Sequence, residues 1–162
     1  MIFDRDGVLN VDVGYAYRPD QIIWIPGAME AVRMVNEAGL YAFVATNQSG
    51  VARGYYTEDD VQRLHAWMNI ELSKSGARID AFVYSPFHLA GSVAAYSKDS
   101  NCRKPRPGMI DRLVAEWGLE TSRTILIGDK ETDMQAARSA GIGGFLFTGG
   151  NVKSFVEPHL PH

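Results

Sequence analysis

The amino-acid sequence predicts an α/β protein, a doubly wound, Rossmann-like open sheet of mainly parallel strands with helices on both faces. Two observations carry this expectation. Four short apolar runs, Tyr41 to Thr46, Ala81 to Ser85, Thr124 to Gly128 and Gly144 to Phe147, lack the polar alternation of a half-solvated strand. Between them lie longer helical patterns, and strand–helix alternation brings successive strands back parallel through crossover connections.

The elements follow in order. The first strand, Met1-Ile2-Phe3, is shorter than the usual five or six residues. Either it is stunted or residues that belong before it are absent. Pro26-Gly27 opens a helix that runs to Ala38 and closes at Gly39. Thr57 is placed to cap a long helix, with Asp60 at the capping-box position and an end near Ser75-Gly76. Pro107-Gly108 opens a third helix to about Trp117-Gly118, and Thr132 to Ala140 forms a fourth, closed by Gly141. Val11 to Ile25, Pro86 to Arg106 and the tail from Gly149 to His162 read as irregular, the tail with His159 and His162 as mobile. Residues 1–162 form a single domain on this reading, with no segment long enough to hold a large cap.

Composition narrows the function. The chain has 162 residues, 46% of them hydrophobic and 22% charged, which is enough to bury a full core. A net charge of -3 does not suggest a nucleic-acid binder, though a few placed cations still suffice for an anionic substrate. Cys102 is the single cysteine, so no internal disulfide staples the fold. No apolar run approaches the roughly 18 residues of a membrane span. The cytoplasm is the default location, and a monomer the favoured state.

The residues that carry chemistry gather at predicted strand ends and helix starts. Asp4 and Asp6 stand two apart after the first strand, followed by Gly7, and would repel one another unless a cation sits between them. Thr46-Asn47-Gln48-Ser49-Gly50 places a hydroxyl at the end of the second strand. Arg103-Lys104 puts two cations before the third helix, and Gly128-Asp129-Lys130-Glu131-Thr132-Asp133 sets carboxylates after a further strand. In open α/β sheets, ligands bind at these carboxyl ends.

Taken together, DRDGVLN, TNQSG, CRKPRPGM and GDKETDMQAA resemble the four motifs of the haloacid dehalogenase superfamily. The likeness is closest to the heptose-1,7-bisphosphate phosphatases, with the histidinol-phosphate phosphatases as near relatives, and runs from Ile2 to about Thr148. The resemblance implies a phosphatase for a small phosphorylated sugar. Asp4 would be the nucleophile and Asp6 the general acid and base, with Thr46 and Lys104 stabilising the phosphoryl group. Mg2+ would be held by the Asp4 carboxylate, the Asp6 backbone carbonyl and Asp129, supported by Asp133. Substrate contacts would come from Asp12, Val13, Gly14, Tyr15, Thr46, Asn47, Gln48, Ser49, Arg103, Lys104 and Lys130.

One departure stands out. Relatives carry zinc ligands as Cys-x-His and Cys-x-Cys, where this chain reads Ser85-Pro86-Phe87 and Ser100-Asn101-Cys102. Cys102 and His88 alone fall short of the four ligands of a structural zinc, so no zinc is expected. Apolar packing of Phe87, Leu89, Val93 and Tyr96 would hold the loop in its place.

Two other readings compete. Histidinol phosphate or another small metabolite is the alternative substrate. A non-catalytic receiver-like signalling domain would carry its phosphoacceptor after the third strand, where this chain has Ser85-Pro86-Phe87. No G-x-G-x-x-G follows the first strand, which disfavours a dinucleotide-binding enzyme.

Overall fold

A computed structural model describes residues 1–161; His162 lies outside the described residues. Five parallel strands form one sheet: β1 (Ile2–Phe3), β2 (Phe43–Asn47), β3 (Ala81–Ser85), β4 (Ile125–Gly128) and β5 (Gly143–Leu146), in the order β3-β2-β1-β4-β5. The chain therefore leaves the central β1 to one side, returns, and finishes on the other. The crevice of this topological switch opens beyond the ends of β1 and β4.

The strand residues alternate strictly between two cores. Phe3, Val44 and Ile127 face α1 (Ala28–Glu37), the short α5 (Val152–Val156) and Leu72 of α2 (Glu58–Lys74). Ile2, Phe43, Ala45 and Leu126 face α3 (Gly108–Trp117) and α4 (Glu131–Ser139). The central strands β1, β2 and β4 bury both faces, which is why their sequences read as apolar runs, whereas the edge strand β5 is largely exposed. β1 holds the centre with two residues because both are fully buried, and because the Asp4 N–H continues the ladder to the Ile127 carbonyl at 2.9 Å.

Boundaries shift by a residue or two from the expected ones. Tyr41 lies outside β2, and the Thr124 hydroxyl donates to the Glu120 carbonyl at 2.7 Å just before β4 begins. The larger correction is the tail. Asn151 caps α5 by accepting from the Ser154 N–H at 3.1 Å, and Val152 and Val156 are completely buried against α1. Five residues are too few to show a helical period in sequence. His159 packs on Phe145 with ring centroids 3.8 Å apart, so this end is docked onto β5.

The loop from Pro86 to Arg106 also differs from expectation. Phe87 and Tyr96 do approach, at 6.0 Å between centroids, but Leu89 is 72% exposed. Tyr96 also packs on the buried Val51, Tyr56 and Val61, and polar bonds add anchoring: the Ser92 and Val93 N–H groups donate to the Ala52 carbonyl, and the Tyr96 hydroxyl donates to Glu58 at 2.6 Å. In the segment where the resemblance implies lost zinc ligands, Cys102 Sγ lies 3.4 Å from the Ser85 hydroxyl and 3.1 Å from that of Ser100. Among the described residues no helix is long and apolar enough to cross a membrane.

At the start of α2, the Thr57 hydroxyl accepts from the Asp60 N–H at 3.2 Å while the Asp60 carboxylate accepts from the Thr57 N–H at 2.9 Å. This exposed box satisfies two otherwise unpaired donors. Thr57→Ala should lower unfolding stability by about 1 kcal/mol in urea denaturation, with an unchanged m-value.

Candidate active site

Asp4 leaves the end of β1 only 7% exposed, its Oδ1 accepting from the Arg5 N–H at 2.8 Å. The Lys104 ammonium, 3% exposed, sits 3.0 Å from Asp4 Oδ1 and 2.7 Å from Asp133 Oδ1, and donates to the Ala45 carbonyl at 2.7 Å. All three of its N–H bonds are thereby used. Asn47 at the end of β2 fixes the Lys104 backbone by a reciprocal pair of bonds, each 3.0 Å.

The charges do not balance. Asp4, Asp129 and Asp133 present carboxylate oxygens within 4.8 Å of one another, with Lys104 the one ammonium in direct contact and Lys130 acting on Asp129 from the rim. Burial drives the Asp4 pKa up to about 7, and the opposing pull of Lys104 does not cancel it. Burial likewise raises that of Asp129, whose Oδ1 is buried with no hydrogen-bond partner. Burial works to lower the Lys104 pKa, but Asp4 and Asp133 outweigh it and hold the ammonium firmly charged. An all-oxygen cluster with a surplus of negative charge and an orphaned acceptor fits a hard divalent cation.

Asp6 turns its carboxylate the other way, onto a lattice of donors. Arg5 Nη2 lies 3.0 Å from it, Asn10 Nδ2 at 2.9 Å and Gln48 Nε2 at 3.0 Å. Gln48 Nε2 also donates to the Thr46 hydroxyl at 2.9 Å, and Tyr56 donates to Gln48 Oε1 at 2.6 Å. Both ends of the Gln48 amide are thus engaged inside the protein, as is that of Asn47.

The rim carries the remaining expected residues. Asp12 to Tyr15 are exposed, in a turn closed by the Gly14 N–H on Asp12 Oδ1 at 3.0 Å. Lys130 Nζ pairs with Asp12 Oδ2 at 3.1 Å and ties this turn to the start of α4. Arg103 is half-buried and donates to the Phe87 carbonyl at 3.4 Å, a long contact. Burial, then the field of Arg53, lowers its pKa. Arg103, Lys104, His88, Lys98, Asp99 and Arg106 are among the residues that line a cavity of about 280 Å3, in which Asp99 pairs with Arg106. Sequence reasoning missed Arg5, Asn10, Arg53, Tyr56 and His65. An arginine between two aspartates hints at a partner, but nothing in the sequence says that it turns inward.

Comparison with known proteins places this geometry. A family described as HAD-hydrolase-like matches residues 101–158. The D-glycero-beta-D-manno-heptose-1,7-bisphosphate 7-phosphatase of Rhodopseudomonas palustris is 46% identical over 97% of this chain and 87% of its own. This chain belongs to the haloacid dehalogenase superfamily, in the branch of these phosphatases. A HAD-like phosphatase from Mesorhizobium loti superposes with a TM-score of 0.86 at 35% identity, covering 92% of this chain and 72% of that one. The D,D-heptose 1,7-bisphosphate phosphatase of B. bronchiseptica, solved with magnesium and phosphate, superposes with a TM-score of 0.82 at 32% identity, covering 100% and 88%.

In this phosphatase Gly7 is a structural requirement of the carboxylate cluster. Its φ is +90°, and a Cβ there would overlap the Asp129 carboxylate. Gly7→Ala should therefore displace Asp129 and strain the turn by about 1–3 kcal/mol. Phosphate release at limiting divalent cation should fall by about 100-fold, with partial recovery at high cation concentration.

Proposed function

We propose that this phosphatase acts on D-glycero-D-manno-heptose 1,7-bisphosphate and removes the phosphate at carbon 7. The observation that carries the reading is the pair of adjoining cationic centres. Lys104 is committed to Asp4 and Asp133, while Arg103, with Arg53 nearby, lines a cavity that Lys104 also lines and forms no ion pair among the described residues, the cavity's Asp99 being paired with Arg106. A monophosphate needs one such centre and a bisphosphate needs two. The names of the relatives support the same substrate.

Asp4 attacks phosphorus, and the bond to the leaving oxygen breaks as Asp6 delivers its proton there. Water then attacks the phosphoaspartate; Asp6 takes the water's proton, the Asp4–phosphorus bond breaks, and inorganic phosphate leaves. Thr46 steadies the phosphoryl oxygens where charge develops, and so does Lys104 as its contact with Asp4 passes to the transferred group. Mg2+, when bound, would be held by the Asp4 carboxylate, the Asp6 backbone carbonyl and Asp129, with Asp133 beside them, and would neutralise charge on the transferred group. The rim turn Asp12 to Tyr15, Ser49 and Lys130 would meet the sugar; Asn47 and Gln48 would act by holding Lys104, Thr46 and Asp6.

We take residues 1–162 as one catalytic domain working as a monomer without zinc. The cytoplasm is its place, since a doubly phosphorylated sugar does not cross membranes unaided.

Asp4→Asn should fold and lose at least about 1,000-fold in kcat. Asp6→Asn should instead accumulate phosphoaspartate, visible by mass spectrometry of the intact protein. A folded Asp4→Asn with substantial turnover would refute the mechanism.

Arg103→Ala should lower kcat/KM for the bisphosphate by about 10- to 100-fold, or about 1.4–2.7 kcal/mol, and that for p-nitrophenyl phosphate far less. Equal losses would place Arg103 on the reacting phosphate. A wild-type preference for histidinol phosphate would reassign the substrate.

A further inference from the structure

Arg5 is the largest fully buried side chain, 1% exposed, next to the reacting groups. Every nitrogen of its guanidinium is spent inside the protein. Nε and Nη2 donate to Asp6, and Nη2 also faces the Ala16 carbonyl at 2.9 Å and Gln48 Oε1 at 3.3 Å. Nη1 meets His65 Nε2 at 3.3 Å. The second Nη1 N–H has no partner among the described residues, but the side chain is only 1% exposed and its fork is turned onto Asp6, so the part Arg5 plays in the reaction runs through Asp6.

His65 is built as a fixed acceptor. It lies in the middle of α2, 4% exposed, with its ring stacked on Phe82 of β3 at 4.5 Å and 16°. A guanidinium only donates, so Nε2 must carry the lone pair and the proton sits on Nδ1. Burial, and then the charge of Arg5, keep the ring neutral. A leucine would pack in this place at less desolvation cost, yet would leave a buried guanidinium donor unpaired.

We propose that His65 and Arg5 are positioning residues: His65 holds the plane of the Arg5 guanidinium, and Arg5, with Gln48, holds the Asp6 carboxylate where it must meet the attacking water. The role follows from connectivity. Arg5 touches the reacting groups directly at Asp6, while Gln48 links the network to Thr46 as well, and α2 reaches Arg5 through one imidazole. A carboxylate that swings freely finds the water's proton less often, so its loss weighs on hydrolysis of the phosphoaspartate rather than on substrate binding. The inference rests on the roles assigned above to Asp4 and Asp6.

The test is pre-steady-state kinetics on His65→Leu and His65→Gln. p-Nitrophenyl phosphate has a leaving group that needs little protonation, so phosphorylation of Asp4 is spared and only the second step is read. His65→Leu should show a burst of nitrophenol approaching one per enzyme. Phosphoaspartate should persist by mass spectrometry, and steady-state kcat should be lower by about 10-fold with KM within about twofold of wild type. His65→Gln, which can still present an oxygen to Arg5, should recover kcat to within about threefold. Should His65→Leu not fold, Arg5→Lys, which keeps the charge without the fork, reads the same burst. Unchanged kcat in the leucine variant would overturn the inference. So would a loss in which formation and hydrolysis of the intermediate slow equally, or a glutamine variant no better than the leucine. An Asp6→Asn protein that never yields phosphoaspartate would refute the underlying mechanism and this inference with it.

Discussion

The buried ammonium of Lys104 is the contact on which the site depends. It touches the carboxylates of Asp4 at the end of β1 and Asp133 in α4, and the backbone of β2 at Ala45. Three elements far apart in sequence meet at one charge. Removing an ion from water costs several kcal/mol even after relaxation, and such a group persists only where close partners offset that cost. With two carboxylates and a carbonyl around it, Lys104 has them. Without it, Asp4 and Asp133 would face one another unscreened at the centre of the sheet.

That arrangement remains deliberately incomplete. Lys104 covers one side of Asp4 and leaves Asp129 with an orphaned oxygen and a raised pKa. A fully neutral cluster would be more stable and would bind nothing. The surplus of negative charge gives a divalent cation a reason to enter, and a cation is what allows a dianionic phosphate to approach a carboxylate nucleophile. The fold tolerates the strain because β1 is enclosed by neighbours on both sides and by a core on each face.

The second carboxylate, two residues on, lives in a different environment. Asp6 is surrounded by donors, from Arg5, Asn10 and Gln48, and is partly open to the crevice. One acid held by an ammonium among other acids, and another held by a guanidinium and amides, are suited to different tasks. Environment, not residue type, separates nucleophile from proton carrier.

The sequence by itself determined the parallel sheet, because a strand buried on both faces must be apolar at every position, and that constraint is local. It also determined which groups end the strands, since Asp4, Lys104 and Asp129 each lie near a strand or helix boundary marked by glycine or proline, and Thr46 closes an apolar run. Tertiary structure decided the rest. The tail helix has only Val152 and Val156 to announce it, and gains its order by docking on α1. Asn47 and Gln48 sit in a motif beside the reacting groups, yet their amides turn inward. Arg5, between two acids, hints at a partner without naming it, and His65 lies on a long helix where it could pack or face solvent. They are 60 residues apart and become a pair only when α2 packs on the sheet. The direction in which a side chain points, and the partner that satisfies it, depend on elements distant in sequence, and no local pattern records them.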